Sequence, residues 1–179
     1  ANLHVLKKVA AGTKLTIDFS GGLKTESDVA AVFETGAAIA TVGSVAVKQP
    51  ELFLSWVEKF GSEKMLLGAD ARGGKVAING WQTDTTTPVL AFLRKFAERG
   101  VTNAFVTDIA SDGAMKGPAF KLYRQITAAI SEIDLIASGG VTSIADIDEL
   151  DRIGCSGVIV GKALYEQNIK LEDLAKYVG

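Results

Sequence analysis

One cysteine, Cys155, and one histidine, His4, stand among 179 residues. A single cysteine excludes an intrachain disulfide, and Cys155, in a Gly-Cys-Ser turn ahead of an apolar run, reads as inert filler rather than as a nucleophile. A lone histidine in the opening stretch ANLHVLKKVA reads as structural or solvated, which leaves imidazole chemistry without support. No apolar run approaches the roughly 18 residues that cross a bilayer, and no basic-then-apolar signal pattern opens the chain. A cytoplasmic protein without a membrane partner is expected. The charge balance is near neutral, 19 Lys and Arg against 21 Asp and Glu, and no basic stripe is present. Phosphate-backbone binding needs clustered cations, so nucleic acid is not an expected partner. What is present is apolar content, 47% of residues, with 22% charged, the composition of one folded domain over 1–179 with no Pro/Gly/Ser linker to divide it.

The sequence also carries one phrase twice. DFSGGLKTESDVAAVFETGAAIATVGSV returns near the C-terminus as IASGGVTSIADIDELDRIGCSGVIVGKAL, setting Gly139 and Gly140 on Gly21 and Gly22, Asp146 on Asp28, Gly154 on Gly36 and Gly161 on Gly43. Each copy reads as an apolar strand, Ser-Gly-Gly, a polar turn, an amphipathic helix closed by glycine, a second apolar strand and a terminal glycine. Internal repeats set the architecture that later assignments assume.

Six short apolar runs, LTIDFSG, AIATVGS, KMLLGAD, NAFVTDI, DLIASGG and GVIVGKA, alternate with segments of helical periodicity, most of them closed by glycine. Continuous apolar runs of this length are the pattern of buried parallel strands, and strict alternation gives an α/β fold. One segment departs from the rhythm. After GAD the chain reads ARGGKVAINGWQTDTTT, a tight Gly73-Gly74 turn and a short alternating strand, which is an elaborated loop at a strand's C-terminal end, where such folds place chemistry. A doubly wound open sheet would also take six strands. The duplicated half favours a (β/α)8 TIM barrel, here an incomplete one with six of eight strands, opening in a helix that has no strand of its own.

The repeated glycines suit anions. Unpartnered backbone N–H groups at helix starts bind phosphate, and glycine lets the backbone come close. Gly21-Gly22 beside Gly43-Ser44, and Gly139-Gly140 beside Gly161-Lys162, imply two phosphate sites facing each other across the barrel mouth; the plainer reading is that these glycines only turn the chain. Asp28 and Asp146 fit a helix capping box better than catalysis. Asp70 and Asp108 close strands, with Thr107 beside Asp108 and Asp112 just beyond, and an acid between two phosphate anchors suits proton transfer on a doubly phosphorylated substrate. These carboxylates lack companion His or Cys ligands, so no metal is expected. Trp81, in the elaborated loop, is either packing or a cover for a flat heterocycle.

The segments GADARGGKVAINGW, VTDIASDGAMKGP, IASGGVTSIADIDEL and GVIVGKALYE together resemble the phosphoribosylformimino-5-aminoimidazole carboxamide ribotide isomerases of histidine biosynthesis, and the DARGGKVAINGW loop with TDIASDG separates them from the related cyclase subunit. The resemblance implies an Amadori rearrangement, aminoaldose to aminoketose, on a ribotide with a phosphate at each end, with no metal or cofactor. It implies Asp70 as general acid, Thr107 orienting the reacting sugar, and Trp81 and Asp112 at the substrate. Gly22, Gly43 and Ser44 would line one phosphate, and Gly140, Gly161 and Lys162 the other; Lys24 stands where the family often has arginine. The resemblance runs from the helix after the family's second strand, so the first two βα units, and the strand-one aspartate that serves as base, are read as absent. On that expectation the chain alone is inactive, and its open edges invite the absent segment or a second copy. Two other readings stand beside it: a bifunctional relative that also isomerises phosphoribosyl anthranilate, and a non-catalytic phosphate-binding partial barrel.

Overall fold

All six apolar runs become parallel strands in the computed structural model, which describes residues 2–177. The strands are β1 (Asp18–Ser20), β2 (Ile39–Val42), β3 (Met65–Arg72), β6 (Asn103–Asp108), β7 (Asp134–Ser138) and β8 (Gly157–Ile159). They hydrogen-bond in the order β1-β2-β3-β6-β7-β8, every pair parallel. The path is open, with β1 and β8 as its edges. This is the partial (β/α) barrel expected of the sequence. Two further strands, β4 (Lys75–Ile78) and β5 (Thr83–Pro88), form an antiparallel hairpin that folds back along the end of β3, so the sheet has eight strands in all. The segment TDTTTP of β5 has no apolar pattern, and the sequence places it in the loop and the approach to the next helix. Its strand conformation comes from pairing with β4 rather than from burial, for nearly all of it is exposed.

Helices α1 (Leu3–Gly12), α2 (Glu26–Thr35), α3 (Ser44–Lys48), α4 (Pro50–Phe60), α5 (Val89–Ala97), α6 (Phe120–Ala129), α7 (Ile144–Ile153), α8 (Lys162–Tyr165) and α9 (Leu171–Leu174) fill the connections and the C-terminal end. The expectation that N-terminal βα units are missing is corrected here. The chain opens in formed elements: α1 buries Leu6 and packs so closely on the end of α2 that a Cβ at Gly36 would stand 2.7 Å from that of Ala10. The β1–α2 and β2–α3–α4 units follow complete and paired. An expectation of inactivity that rested on their absence loses that support.

Alternate residues along the parallel strands face opposite ways. The outward set, including Ala40, Leu67, Ala69, Ala71, Ala104, Val106, Leu135 and Ala137, is small or apolar and joins the core beneath the helices. Its small side chains leave room for large helix residues, among them Phe53, Trp56, Phe92, Phe96, Tyr123 and Ile126. Phe96 meets Phe53 and Phe92 edge-on at 5.5 and 5.0 Å between ring centroids, geometries that aromatic quadrupoles favour. Tyr123 reaches from α6 to donate to the Ser138 carbonyl at 2.6 Å, tying the end of β7 to the helix layer. His4 is exposed on α1, and burial pushes the Cys155 thiol up to about 11, away from the range where a thiolate forms.

Candidate active site

The inward set of strand residues is different in kind. Register places Asp18 beside Ile39, Ser20 beside Thr41, Asp70 beside Thr107, and Thr107 beside Ser138. Thr41, Thr107 and Ser138 are the buried polar side chains among the described residues, and all three belong to this face. Gly68 lies on it too, and the Phe105 ring occupies the space its side chain would fill, with ring carbons 3.0 Å from the ideal Cβ position.

Because the six strands are parallel, their C-terminal ends gather at one rim, and each end carries a distinct loop. After β1 come Gly21 and Gly22, and after β7 come Gly139 and Gly140; φ is +90° and +77° in the first pair and +95° and +82° in the second. Gly43 and Gly161, after β2 and β8, match as well, at φ −109°, ψ −81° and φ −110°, ψ −94°. The repeat in the sequence is therefore a repeat in backbone conformation. Both copies also hold the same capping box. Asp28 accepts from the N–H groups of Lys24 and Thr25 at 3.0 and 2.8 Å, and Asp146 from those of Thr142 and Ser143 at 2.8 and 3.0 Å. These bonds hold the Asp28 carboxyl below its ordinary range and occupy both repeated aspartates structurally.

The two glycine turns open onto unequal spaces. Gly21, Gly22, Lys24, Thr41, Gly43, Ser44, Lys48 and Asn79 line a cleft of about 510 Å³, and a Cβ at Gly21 or Gly22 would meet nothing within 4 Å. The matching cleft, at Asp112, Ser138, Gly140, Gly161 and Lys162, holds only about 60 Å³. Here the loop after β6 presses on the turn: a Cβ at Gly140 would lie 2.4 Å from the Gly117 carbonyl oxygen, and one at Gly139 2.9 Å from that of Asp108. Lys162 bridges the opening by donating to the Gly113 carbonyl at 3.0 Å. Larger hollows exist, of about 730 Å³ between α6 and α7 and about 640 Å³ between α7 and the C-terminal turn, but the first lies at the N-terminal end of β7 and both lie on the helix side of the sheet. Volume alone does not find the polar rim.

Asp70 stands near the end of β3 on the inner face. Burial lifts its carboxyl above the ordinary carboxylate range; the Thr107 hydroxyl and the Trp81 indole counter the lift, and the charge of Asp112 adds to it. A carboxyl so placed holds a proton more readily than one in water, which suits a general acid. Asp108, one residue beyond Thr107 and therefore on the other face, is taken up by its own loop, accepting from the Ser111 N–H at 3.0 Å and the Ser111 hydroxyl at 2.6 Å. Trp81 sits at the tip of the β4–β5 hairpin, 38% exposed, in a run of three positive φ values (Asn79 +59°, Gly80 +62°, Trp81 +69°). Arg72 holds this tip curled, donating to Asp84 at 2.8 Å and to the Trp81 carbonyl at 3.2 Å. Among the described residues no group of three or more His, Cys, Asp or Glu is placed to hold a metal.

The sequence reading passed over three residues of this rim and face. Asp18 faces inward from β1, where the Thr41 hydroxyl lies 2.7 and 2.8 Å from its two oxygens and burial outweighs that contact to raise its carboxyl. Its signal was an acid inside an apolar strand. Lys48 and Asn79 line the larger cleft, yet each lies in a helix or loop context that looks like ordinary surface.

A parallel (β/α) sheet with two matched glycine turns at one rim, and Asp70 on the inner face beside them, defines a protein of the (β/α)-barrel class. The profile of the family described as histidine biosynthesis protein matches residues 1–170, and the chain belongs to that family. It is 48% identical over 176 residues to the 1-(5-phosphoribosyl)-5-((5-phosphoribosylamino)methylideneamino) imidazole-4-carboxamide isomerase of Parabacteroides distasonis, an alignment covering 98% of this chain and 74% of the relative. The enzyme of the same name from Azobacteroides pseudotrichonymphae is also 48% identical over 176 residues, with 98% and 73% covered, and that from Flavobacterium psychrophilum is 43% identical over 177 residues, with 99% and 73% covered. The chain is of an isomerase family of histidine biosynthesis. Among the described residues no helix is long and apolar enough to cross a membrane.

Proposed function

We propose that the chain isomerises a doubly phosphorylated ribotide by an Amadori rearrangement, converting an aminoaldose to an aminoketose. The observation that carries the reading is Asp70, a carboxyl raised by burial and flanked at the rim by two glycine turns of matched backbone conformation. In this reading the larger cleft takes one phosphate on the backbone of Gly22, Gly43 and Ser44, and the smaller takes the other on Gly140, Gly161 and Lys162, once Lys162 lets go of the Gly113 carbonyl. The relatives' name carries two phosphoribosyl groups, which fits two such clefts.

With the phosphates held apart, the aminated sugar lies over the inner face. Asp70 donates its proton to the ring oxygen as the bond from that oxygen to the anomeric carbon breaks, giving an open-chain iminium. The Asp70 carboxylate left by that step takes the proton from the neighbouring carbon to give an enolamine, which becomes the ketose as Asp70 returns a proton to the first carbon and takes one from the enol hydroxyl. Thr107, level with Asp70 on β6, orients the reacting hydroxyls; Trp81 covers the substrate, and Asp112 hydrogen-bonds it from the loop after β6. Acid catalysis of this kind is worth roughly 10²–10⁴ in rate.

Proton NMR of the ribotide incubated with the purified chain tests the reading. The anomeric signal of the aminated ribose is expected to disappear as ketose signals grow, and replacement of Asp70 by Ala is expected to abolish the change. An unchanged spectrum with the wild-type chain contradicts the assignment.

A further inference from the structure

The two clefts differ in where their cation stands. Aligned through the repeat, Ser44 falls on Lys162 and Lys48 falls on Glu166. The second copy has its lysine at the first position of α8, where Glu166 pairs with it at 3.5 Å. The first copy has a hydroxyl at that position and its lysine one turn further along, at the end of α3. Each copy thus presents one lysine from the short helix after its second strand, and each lysine reaches the loop of an inner strand. Lys162 donates to the Gly113 carbonyl in the loop after β6 at 3.0 Å, and Lys48 donates to the Asn79 side-chain oxygen in the hairpin after β3 at 2.7 Å.

Asn79 is tied further into the cleft. Its backbone N–H points to the Ser44 hydroxyl at 3.4 Å and its side-chain amide donates to the Thr83 hydroxyl at 3.2 Å. It holds φ at +59°, a conformation that non-glycine residues adopt mainly where surrounding contacts require it. Two residues on, Trp81 lies in polar reach of Asp70.

We propose that Lys48, beside Lys24 on the rim of the larger cleft, binds the anion there and that Asn79 hitches the β4–β5 hairpin to it, so that an anion bound at Lys48 sets the position of Trp81 over Asp70. An ammonium has three donors, so Lys48 can hold a phosphate oxygen and the Asn79 oxygen together. Phosphate neutralises the ammonium and fixes its direction, and the hairpin tip is fixed with it. Lys48 is then a binding residue and Asn79 a positioning residue. The inference rests on the phosphate reading of the larger cleft.

The test is titration of the full chain with inorganic phosphate, reading heat of binding and tryptophan emission in parallel. The chain's other tryptophan, Trp56, is fully buried in the core, so a phosphate-dependent change reports Trp81. Wild type is expected to bind phosphate with a change in emission that follows occupancy. Lys48→Met is expected to weaken binding at this cleft by about tenfold or more and to remove the emission change. Lys48→Arg is expected to keep both, since it retains charge and donors. Asn79→Ala is expected to leave phosphate affinity within about twofold and to lose the emission change. Binding by Lys48→Met equal to wild type, or a full Trp81 response in Asn79→Ala, overturns the inference alone. Absence of phosphate binding by wild type overturns the phosphate reading as well.

Discussion

At the scale of single residues, matched backbone conformations conceal different constraints. Gly22 and Gly140 share a positive φ, at +77° and +82°, but only Gly140 is pressed by another backbone. Gly22→Ala should cost about 1–2 kcal/mol, the ordinary penalty for a side chain in left-handed backbone, and should weaken phosphate binding, because the methyl enters the cleft that the backbone lines. Gly140→Ala adds a collision with the Gly117 carbonyl and should cost roughly 3 kcal/mol or more. Urea unfolding of the two variants checks the order, and equal losses would mean that the loop after β6 does not hold the turn as described. The same comparison explains why these glycines were ambiguous in sequence. The repeat shows that two turns must be alike; it does not show which of them is packed and which is open.

At the scale of elements, each helix after the first strand of a repeat starts on a hydroxyl and an aspartate. Ser143 accepts the Asp146 N–H at the start of α7 while Asp146 accepts from the N–H groups of Thr142 and Ser143. Ser143→Ala should lower stability by roughly 1 kcal/mol with no effect on phosphate binding, which thermal unfolding and calorimetry together can check. These boxes, the six parallel strands and the helices between them were legible because each rests on a local rule: apolar runs, capping pairs, closing glycines. β5 was not, since its strand state depends on pairing with β4 across the hairpin, Ala77 beside Asp84, after an irregularity in the register. The packing of α1 was not legible either, since a helix ahead of any strand gives no sign of its partner; it lies against α2 at the turn at Gly36. Within the candidate site, Asp70, Thr107, Trp81 and the glycine turns could be singled out by motif. The link from Lys48 to Asn79 could not, because 31 residues separate the partners and only the hairpin's fold brings them together.

For the whole molecule, the inner face stores a pH dependence. Asp18 and Asp70 both hold their protons more tightly in the fold than in the open chain, chiefly through burial. Between the ordinary carboxylate pKa and the raised one the folded state binds more protons, so these two groups lower stability as pH rises through that window. Asp28, Glu51 and Asp148 have the opposite shift, from hydrogen bonds and ion pairs, and their contribution is lost as pH falls. Asp18→Asn should therefore raise the Tm at neutral pH, and the gain should vanish below about pH 4, where Asp18 is protonated in both states. A Tm difference independent of pH would assign the effect to packing against Thr41 instead. A face that burdens the fold with carboxyls in this way is consistent with one kept for chemistry, and Asp70 is where the two can be separated. The most direct test is kcat for the ribotide together with Tm at neutral pH, in wild type and Asp70→Asn. The account predicts a loss of roughly 10²–10⁴ in kcat with an unchanged or higher Tm; a variant that keeps wild-type turnover would contradict it.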